Sequence, residues 1–220
     1  LPASSEELIR LQQIINGRPC WLAASTHNGE ETIAADVHTE LKKKYDSVLS
    51  ILVPRHPTRG PEIAKMLEEQ KGLNVAHRSK GDPLSSGTDI YLVDTLGELG
   101  LFFRLSDIVF IGKSLVPLGG QNPLEALKLE CAVLHGPHMT NFEKIVTEMS
   151  ESNCSITVKN AESLFQEIDH LISNKERRSM MISNGNTYLR SRSRVIEKVT
   201  NEILLVQNET EKLVETDAAT

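Results

Sequence analysis

A glycine-rich turn, IGKSLVPLGGQNPLEA at residues 111–126, holds the side chains of this sequence that are best suited to chemistry. The Gly119-Gly120 pair lets the backbone approach a ligand closely, and Asn122 followed by Pro123 is typical of a helix start. A helix N-terminus presents N–H groups to an anion such as phosphate. Glu125, one turn further on, would reach past that phosphate to the two hydroxyls of a ribose. The pattern therefore predicts a nucleotide-binding turn.

Three more polar turns follow apolar runs: ASTHNGEE at 24–31, VPRHPTR at 53–59 and DTLGELG at 94–100. In the second of these turns, two prolines would hold Arg55 rigidly, which suits recognition of a phosphate or a carboxylate. Each turn alone also fits an ordinary helix cap or a surface arginine. Four such turns in succession are hard to explain as unrelated caps, and together they favour a ligand site.

Several familiar catalytic patterns are missing from the sequence. Neither GxGxxG nor GxxxxGK[ST] occurs, which counts against a dinucleotide-binding protein or an ATPase, and there is no GxSxG or DxD motif. The histidines His27, His56, His135 and His138 lack the spacing of a metal site. We therefore expect no bound metal and no cofactor, and we find no residue that must act as a general base.

Apolar runs separated by helical patterns outline the elements that would position these turns. We count about seven strands, each followed by a helix, at residues 20–24, 47–54, 73–77, 89–93, 108–111, 131–134 and 155–158. A capping box at residues 4–7 would start the first helix, and the last helix would run to about residue 207. Strands that are apolar on both faces indicate a parallel sheet covered on both sides. The sequence predicts one α/β domain with a Rossmann-like, doubly wound parallel sheet, in which ligands bind at the carboxyl ends of the strands.

Composition excludes several classes of protein. The chain has 220 residues, 39% of them hydrophobic, and its formal charge of −6 argues against a general nucleic-acid binder. It lacks the run of ~18 apolar residues that a membrane-spanning helix needs. Cys20, Cys131 and Cys154 are far apart and read as buried thiols in a reducing compartment. The chain begins at Leu1 rather than Met, so we expect it to be part of a longer protein.

Charge is unevenly distributed toward the end of the chain. Four acids and one lysine lie between residues 209 and 220, whereas seven bases and two glutamates lie between residues 175 and 198. We divide the chain into a domain at 1–207 and an acidic tail at 208–220 that we expect to be disordered. The basic stretch has two readings: a solvated helix face with salt bridges, or a face directed at anionic lipid.

In this order, the polar turns resemble the carboxyl-terminal half of the 3-deoxy-D-manno-octulosonic acid (Kdo) transferases of lipopolysaccharide assembly. The four turns and HGPHMTNF at 135–142 carry the resemblance, which spans residues 24–142. It implies the donor-binding half of a two-domain, inverting glycosyltransferase of the GT-B fold, with residues 1–207 as the domain for CMP-Kdo. The whole enzyme would move Kdo from CMP-Kdo to a lipid A precursor, without a metal, at the cytoplasmic face of the inner membrane.

The resemblance also implies how the work is divided between two domains. An amino-terminal domain outside this chain would bind the lipid acceptor and supply the general base. The isolated chain would be a soluble fragment that binds nucleotide without transferring sugar. Arg55 and Asn122 would stabilise the leaving CMP, because charge develops on its phosphate in the transition state.

The donor site that the resemblance implies combines residues from all four turns. Residues 55–57 and 97–99 would frame the cytidine, residues 119–122 would hold the phosphate, and Glu125 would bind the ribose. Serine and threonine at the end of the first strand would lie near the sugar. The full set is Ser25, Thr26, His27, Gly29, Glu30, Arg55, His56, Pro57, Gly97, Glu98, Leu99, Lys113, Ser114, Gly119, Gly120, Gln121, Asn122 and Glu125.

Three positions depart from the usual pattern of the family. Lys113 stands where a second glycine is common, Gln121 where histidine is common, and Ala126 where proline is common. Lys113 would either add positive charge near the donor or point into solvent. The Gln121 amide can still donate a hydrogen bond to a phosphate, although it cannot act as an imidazole.

Two other classes of protein remain compatible with these residues. One is a related GT-B protein, such as a UDP-sugar transferase or a 2-epimerase, that shares the glycine-rich turn and the ribose-binding glutamate. The other is a non-catalytic, doubly wound binding domain whose polar turns are only helix caps. Stronger protection against unfolding by UDP than by CMP would favour the first class, and no protection by any nucleotide would favour the second.

Overall fold

The computed structural model describes residue 1 and residues 3–192. Three sequence predictions lie outside these residues: the end of the last helix, the basic stretch beyond residue 192, and the acidic tail at 208–220. Among the described residues, no helix is both long enough and apolar enough to span a bilayer.

Seven parallel strands form one sheet, as predicted, in the order β3-β4-β2-β1-β5-β6-β7. The chain moves outward from β1 to β2 and to β3 at the edge, places β4 between β3 and β2, and then crosses to the other side of β1 to begin β5. The point between β1 and β5 is therefore the place where the winding reverses, and such a switch point is where open α/β sheets bind ligands. The strands are β1 (Cys20–Thr26), β2 (Leu49–Pro54), β3 (Val75–His77), β4 (Ile90–Leu92), β5 (Ile108–Ile111), β6 (Ala132–His135) and β7 (Ser155–Thr157).

Within residues 3–192, seven complete α-helices cover the sheet, and residues 175–192 are helical up to the last described residue. The first helix starts as predicted, because the Ser4 hydroxyl accepts the N–H of Glu7 at 3.3 Å. The Glu7 carboxylate does not return to the cap but bonds Arg10 instead. The helices are α1 (Ser5–Ile15), α2 (Glu30–Lys42), α3 (Gly60–Lys65), α4 (Leu99–Phe103), α5 (Leu124–Leu127), α6 (Glu143–Glu151) and α7 (Ala161–Ser173).

Three predictions about helices are wrong in detail. A loop at residues 78–89, rather than a helix, joins β3 to β4. The long final helix is interrupted, because α7 ends at Ser173 and Asn174 leaves the helical conformation with φ −114° and ψ 88°. The helix after the glycine-rich turn begins at Leu124, with Pro123 rather than Asn122 at the N-cap position, and makes only about one turn. A single turn has no macrodipole to speak of, so the predicted helix N-terminus is not an anion site.

The core lies on both faces of the sheet and follows the two-residue period of the strands. In β1, Leu22 and Ala24 pack on one side with α1, α4 and α5, while Trp21 and Ala23 pack on the other with α2, α3 and α7. All four side chains are at most 2% exposed. Full burial of one large apolar side chain contributes roughly 1.5–3 kcal/mol, and this double-sided burial fixes the ends of the strands in space.

The cysteines and the basic stretch behave as ordinary structural features where the structure describes them. All three cysteines are free thiols. Burial raises the pKa of Cys131 to about 12, so this thiol is unreactive near neutral pH. In the basic stretch, Arg177 pairs with Glu167 at 2.7 Å, and Arg192 pairs with Glu148. These pairs favour the reading of a solvated helix face with salt bridges.

Candidate functional site

A cleft of about 210 Å³ opens at the carboxyl ends of β1 and β5, at the switch point of the sheet. All four polar turns contribute to it, so the structure brings together residues as far apart in the sequence as Ala24 and Glu125. The lining residues are Ala24, Ser25, Arg55, Leu99, Phe103, Ile111, Gln121, Asn122 and Glu125. Six of the predicted site residues are among them.

Polar side chains in this cleft lack partners within the described part of the protein. Arg55 is exposed, and no described side chain pairs with its guanidinium. Gln121 and Glu125 likewise have no described partner, while the Asn122 side-chain oxygen accepts the N–H of Leu124 at 3.1 Å and leaves its NH2 group available. Unpaired polar groups above an apolar floor are typical of small-molecule sites. Arg55 and Asn122 can bind an anion here, and the Glu125 carboxylate can accept hydrogen bonds from hydroxyl groups.

The end of β1 is bent at the mouth of the cleft. Pairing with β2 shifts between Ala24 and Thr26, and Ser25 has a φ of 56°, an uncommon conformation for a residue other than glycine. The bend brings β1 against Gly112, where a Cβ atom would lie only 2.5 Å from the Ser25 carbonyl oxygen. Strained residues of this kind concentrate at functional sites, and Ser25 is one of the residues that line the cleft.

The glycine-rich turn requires both of its central glycines. Gly119 and Gly120 have φ values of 92° and 77°, which disfavour any side chain. A Cβ on Gly119 would lie 2.7 Å from the side-chain nitrogen Nδ2 of Asn141, and one on Gly120 would overlap the Met139 sulfur. The Asn141 N–H also donates to the Gly119 carbonyl at 3.1 Å. Met139 and Asn141 therefore support the turn from behind, a role that sequence reasoning missed although their motif was part of the family resemblance.

Three predicted site residues lie beneath the cleft instead of lining it. Thr26, Glu30 and Ser114 are 0%, 1% and 0% exposed. The Ser114 hydroxyl donates to the Ile111 carbonyl and accepts the Gly136 N–H at 2.8 Å. The Glu30 carboxylate accepts backbone N–H groups from two loops. The Ser114 and Glu30 side chains hold the loops that form the cleft, whereas the buried Thr26 hydroxyl has no hydrogen-bond partner among the described residues.

The 97–99 turn is divided between two clefts. Leu99 lines the cleft at the switch point, whereas Gly97 and Glu98 line a separate one of about 470 Å³. Glu98 is engaged there by Arg78, with 2.6 Å between their closest atoms, and this ion pair lowers the Glu98 pKa. The prediction that the whole turn faces one ligand pocket is therefore not met by the geometry. The cause is a contact with Arg78, which lies in the unpredicted loop between β3 and β4.

The remaining predicted residues surround the cleft without lining it. His27 and His56 form an edge-to-face pair with 5.8 Å between ring centroids. Lys113 has a φ of 62°, which explains physically why glycine is common at this position, and its side chain has no described partner. Gly29, with a φ of 95°, precedes α2, and Pro57 starts the 3-10 turn after β2.

Arg59 is a supporting residue that the sequence did not single out. Its guanidinium donates to the buried Glu31 carboxylate at 2.8 Å, and also to the Asn28 side chain. Arg59 thereby ties the turn that carries Arg55 to the start of α2. Burial alone would lower the pKa of Arg59, but the hydrogen bond and the charge of Glu31 outweigh this effect, so the Arg59 pKa is raised. Arg59 and Glu31 are 28 residues apart and belong to different elements, so no local pattern in the sequence predicts their pairing.

A second, larger cavity of about 490 Å³ lies at the other end of the same strands, near the amino ends of β1 and β5. Its charged groups Arg18, Asp107 and Arg178 already have partners. The Arg18 guanidinium donates to the carbonyl oxygens of Ser47, Val48, Ser85 and Thr88 at 2.7–3.4 Å. No predicted site residue lies in this cavity. Among the described residues there is also no cluster of three or more His, Cys, Asp or Glu side chains placed to hold a metal ion.

Sequence comparisons find relatives among transferases. The chain is 39% identical over 169 residues to the 3-deoxy-D-manno-octulosonic acid transferase of Haemophilus influenzae, an alignment that covers 76% of this chain and 39% of the relative. It is 38% identical over 177 residues to the probable mitochondrial transferase of the same name from Arabidopsis thaliana, covering 79% of this chain and 39% of the relative. The chain thus spans about two-fifths of the length of these relatives. It matches no protein-family profile.

Solved structures give the same picture of the fold. The C-terminal CMP-Kdo binding domain of WaaA from Acinetobacter baumannii superposes with a TM-score of 0.80 at 28% identity, covering 84% of this chain and 96% of that domain. Anabaena HepE in complex with UDP-glucose superposes with a TM-score of 0.58 at 13% identity, covering 90% of this chain and 54% of the other. The second likeness bears on the fold alone.

Proposed function

We propose that this chain, which corresponds in sequence and fold to the carboxyl-terminal part of the Kdo transferases, binds CMP-Kdo in the cleft at the switch point. The observation that carries the proposal is the group of unpaired side chains around one apolar floor. Arg55, Gln121 and Glu125 come from two different turns and have no described partner. A nucleotide supplies the anion and the hydroxyls that these groups would bind.

Each part of the donor has a group of matching chemistry in the cleft. The phosphate would lie between the Arg55 guanidinium and the side-chain NH2 of Asn122, with Gln121 as a further donor. The ribose hydroxyls would donate to Glu125. Leu99 and Phe103 provide an apolar surface for the base. Gly97 and Glu98 would not touch the donor in this arrangement, because they line the neighbouring cleft.

For the whole enzyme, we propose an inverting transfer of Kdo to a lipid A precursor at the cytoplasmic face of the inner membrane. An acceptor hydroxyl would attack the anomeric carbon, the bond from this carbon to the phosphate oxygen would break, and CMP would leave with the electron pair. Arg55 and Asn122 would stabilise the charge that develops on the phosphate. The base that takes the hydroxyl proton belongs, in this proposal, to the part of the enzyme that this chain does not include. The isolated chain then binds donor without transferring sugar.

Calorimetric titration of CMP into the chain and two variants tests the cleft. We expect the wild-type chain and Glu151→Ala, an exposed glutamate at the end of α6, to bind CMP alike. Glu125→Ala should weaken binding about tenfold, because it removes the acceptor of two hydroxyl protons. Equal heats from the wild-type and Glu125→Ala chains, or no heat from either, would contradict the proposal.

Thermal unfolding with added nucleotides separates this proposal from the alternatives. A ligand that binds only the folded state raises the melting temperature, and at equal concentration the ligand of higher affinity raises it more. CMP should raise it more than UDP does at equal concentration. A larger effect of UDP would favour a UDP-sugar protein, and no effect of any nucleotide would favour a non-catalytic domain.

A further inference from the structure

Glu30 forms an unusual set of contacts at the start of α2. One carboxylate oxygen accepts the N–H groups of His27 at 2.9 Å and Lys113 at 2.6 Å. The other accepts those of Ser114 at 2.9 Å and Leu115 at 3.0 Å. Four backbone donors from two loops therefore converge on one side chain that is 1% exposed.

No basic side chain of the described residues pairs with Glu30. Its negative charge is compensated by backbone N–H groups and by its position in the first turn of α2. Three successive N–H groups directed at one point form the kind of concavity that binds an anion. In this protein the carboxylate of Glu30 occupies that concavity, so these N–H groups are not available to a ligand.

The loop that Glu30 holds is the base of the glycine-rich turn. The Lys113 carbonyl accepts the N–H of Gly120 at 2.8 Å, and the Ser114 carbonyl accepts the N–H of His138 at 3.0 Å. Gly120 directly precedes Gln121, the first polar side chain that this turn gives to the cleft. A continuous set of hydrogen bonds thus leads from Glu30 to the turn that lines the cleft.

We infer that Glu30 is a positioning residue that fixes the glycine-rich turn relative to the end of β1. It does not touch the donor; it acts through the backbone at 113–115 and at Gly120. The inference uses the proposed function only in taking this turn as the phosphate-binding part of the cleft. It replaces the expectation that Glu30 itself contacts the donor.

Glu30→Gln tests the inference, with Asp89→Asn as a matched control. Asp89 is also a buried carboxylate that accepts a backbone N–H, from Asn74 at 3.0 Å, but it precedes β4 at the opposite edge of the sheet. In Glu30→Gln, one oxygen can accept two of the four N–H groups, and the NH2 group faces the other two. Both variants should lose stability, and only one should change the cleft.

Amide hydrogen exchange and CMP titration provide the two readouts. In Glu30→Gln, exchange at residues 113–115 and at Gly120 should accelerate roughly tenfold or more, while β5 keeps its protection. CMP affinity should fall roughly tenfold or more, with neither change in Asp89→Asn. Unchanged exchange at these amides would overturn the inference, and so would unchanged CMP affinity despite faster exchange.

The test remains decisive if the wild-type chain binds no CMP and if the variant does not fold. If the wild-type chain binds no CMP, the proposed function fails, and amide exchange alone still decides whether Glu30 fixes the turn. If Glu30→Gln does not fold, exchange in the wild-type chain takes its place. The amides of His27 and residues 113–115 should then open with one shared free energy, because they bond one carboxylate. Separate opening free energies for the two loops would overturn the inference.

Discussion

One cavity opens where the strands begin, which we call the amino edge of the sheet, and another opens where they end, which we call the carboxyl edge. The first measures about 490 Å³ and the second about 210 Å³. Both contain an arginine from a loop beside β1 or β2. Arg18, at the amino edge, donates to four carbonyl oxygens, whereas Arg55, at the carboxyl edge, has no described partner. We infer from this comparison that unsatisfied polar groups, rather than volume, mark the site for a ligand, since Arg18 already donates four of its five N–H groups to the backbone.

The largest expected effect is on the free energy of unfolding, and it concerns a buried histidine near the amino edge of the sheet. His38, on α2, bonds the Ser50 hydroxyl at 2.8 Å, and its other ring nitrogen lies 3.5 Å from Asp89. Burial lowers the pKa of His38 to about 4, and nearby Lys42 and Arg18 act in the same direction, while Asp89 opposes them.

Acidification should therefore destabilise the fold through His38. The unfolded chain binds a proton at His38 below about pH 6.5, and the folded chain does so only near pH 4. The free energy of unfolding should fall by about 3 kcal/mol as the pH falls through this window. Urea unfolding from pH 7 to pH 4 measures it, with His38→Gln as the control that lacks this slope. An equal slope in both chains would refute the assignment to His38.

Arg18→Ala should separate stability from binding. Removing the guanidinium takes one donor from each of four carbonyl oxygens, of which that of Ser85 still accepts the Thr88 N–H at 3.2 Å. We expect this loss to lower the free energy of unfolding by about 2 to 3 kcal/mol. CMP affinity should stay the same. Denaturant unfolding and calorimetry check the two halves of this prediction. A matching loss of CMP affinity would mean that the amino edge takes part in binding after all.

Arg55→Ala should show the opposite behaviour. Arg55 is exposed and has no described partner, so its loss should change the free energy of unfolding by less than about 0.5 kcal/mol. CMP affinity should fall by about 1.5 kcal/mol, or roughly tenfold, through the loss of a charge-assisted hydrogen bond to phosphate. Arg190→Ala, at another exposed arginine, is the control and should bind CMP like the wild-type chain. A loss of stability without a loss of CMP affinity would show that Arg55 supports the fold and does not bind the donor.

Lys113→Gly should have the smallest effect. Glycine adopts the φ of 62° without strain but has more freedom in the unfolded chain, so we expect a gain in stability of only about 0.5 kcal/mol. Because Lys113 does not line the cleft, CMP affinity should change less than about twofold. A clear loss of affinity would instead show that Lys113 adds positive charge at the donor.

The sequence predicted the sheet well because its strands are apolar on both faces. Residues 108–111 form β5 as predicted, and the family resemblance of the polar turns is confirmed by relatives of 38–39% identity. The contacts that decide which side chains remain free were not predictable in this way. Glu30 meets backbone groups 83 to 85 residues away, and Glu98 meets Arg78 across a loop where a helix was expected. Such partners depend on the tertiary fold, and no local spacing encodes them.

An NMR titration of the chain with CMP tests the central claim most directly, because amide shifts report on both edges of the sheet in one experiment. We predict that saturating shifts concentrate at Ser25, Arg55, Gln121 and Glu125, and that amides lining the amino-edge cavity, such as Cys20 and Ile108, do not move. Shifts at the amino edge instead, or no saturating shift at either edge, would contradict the account.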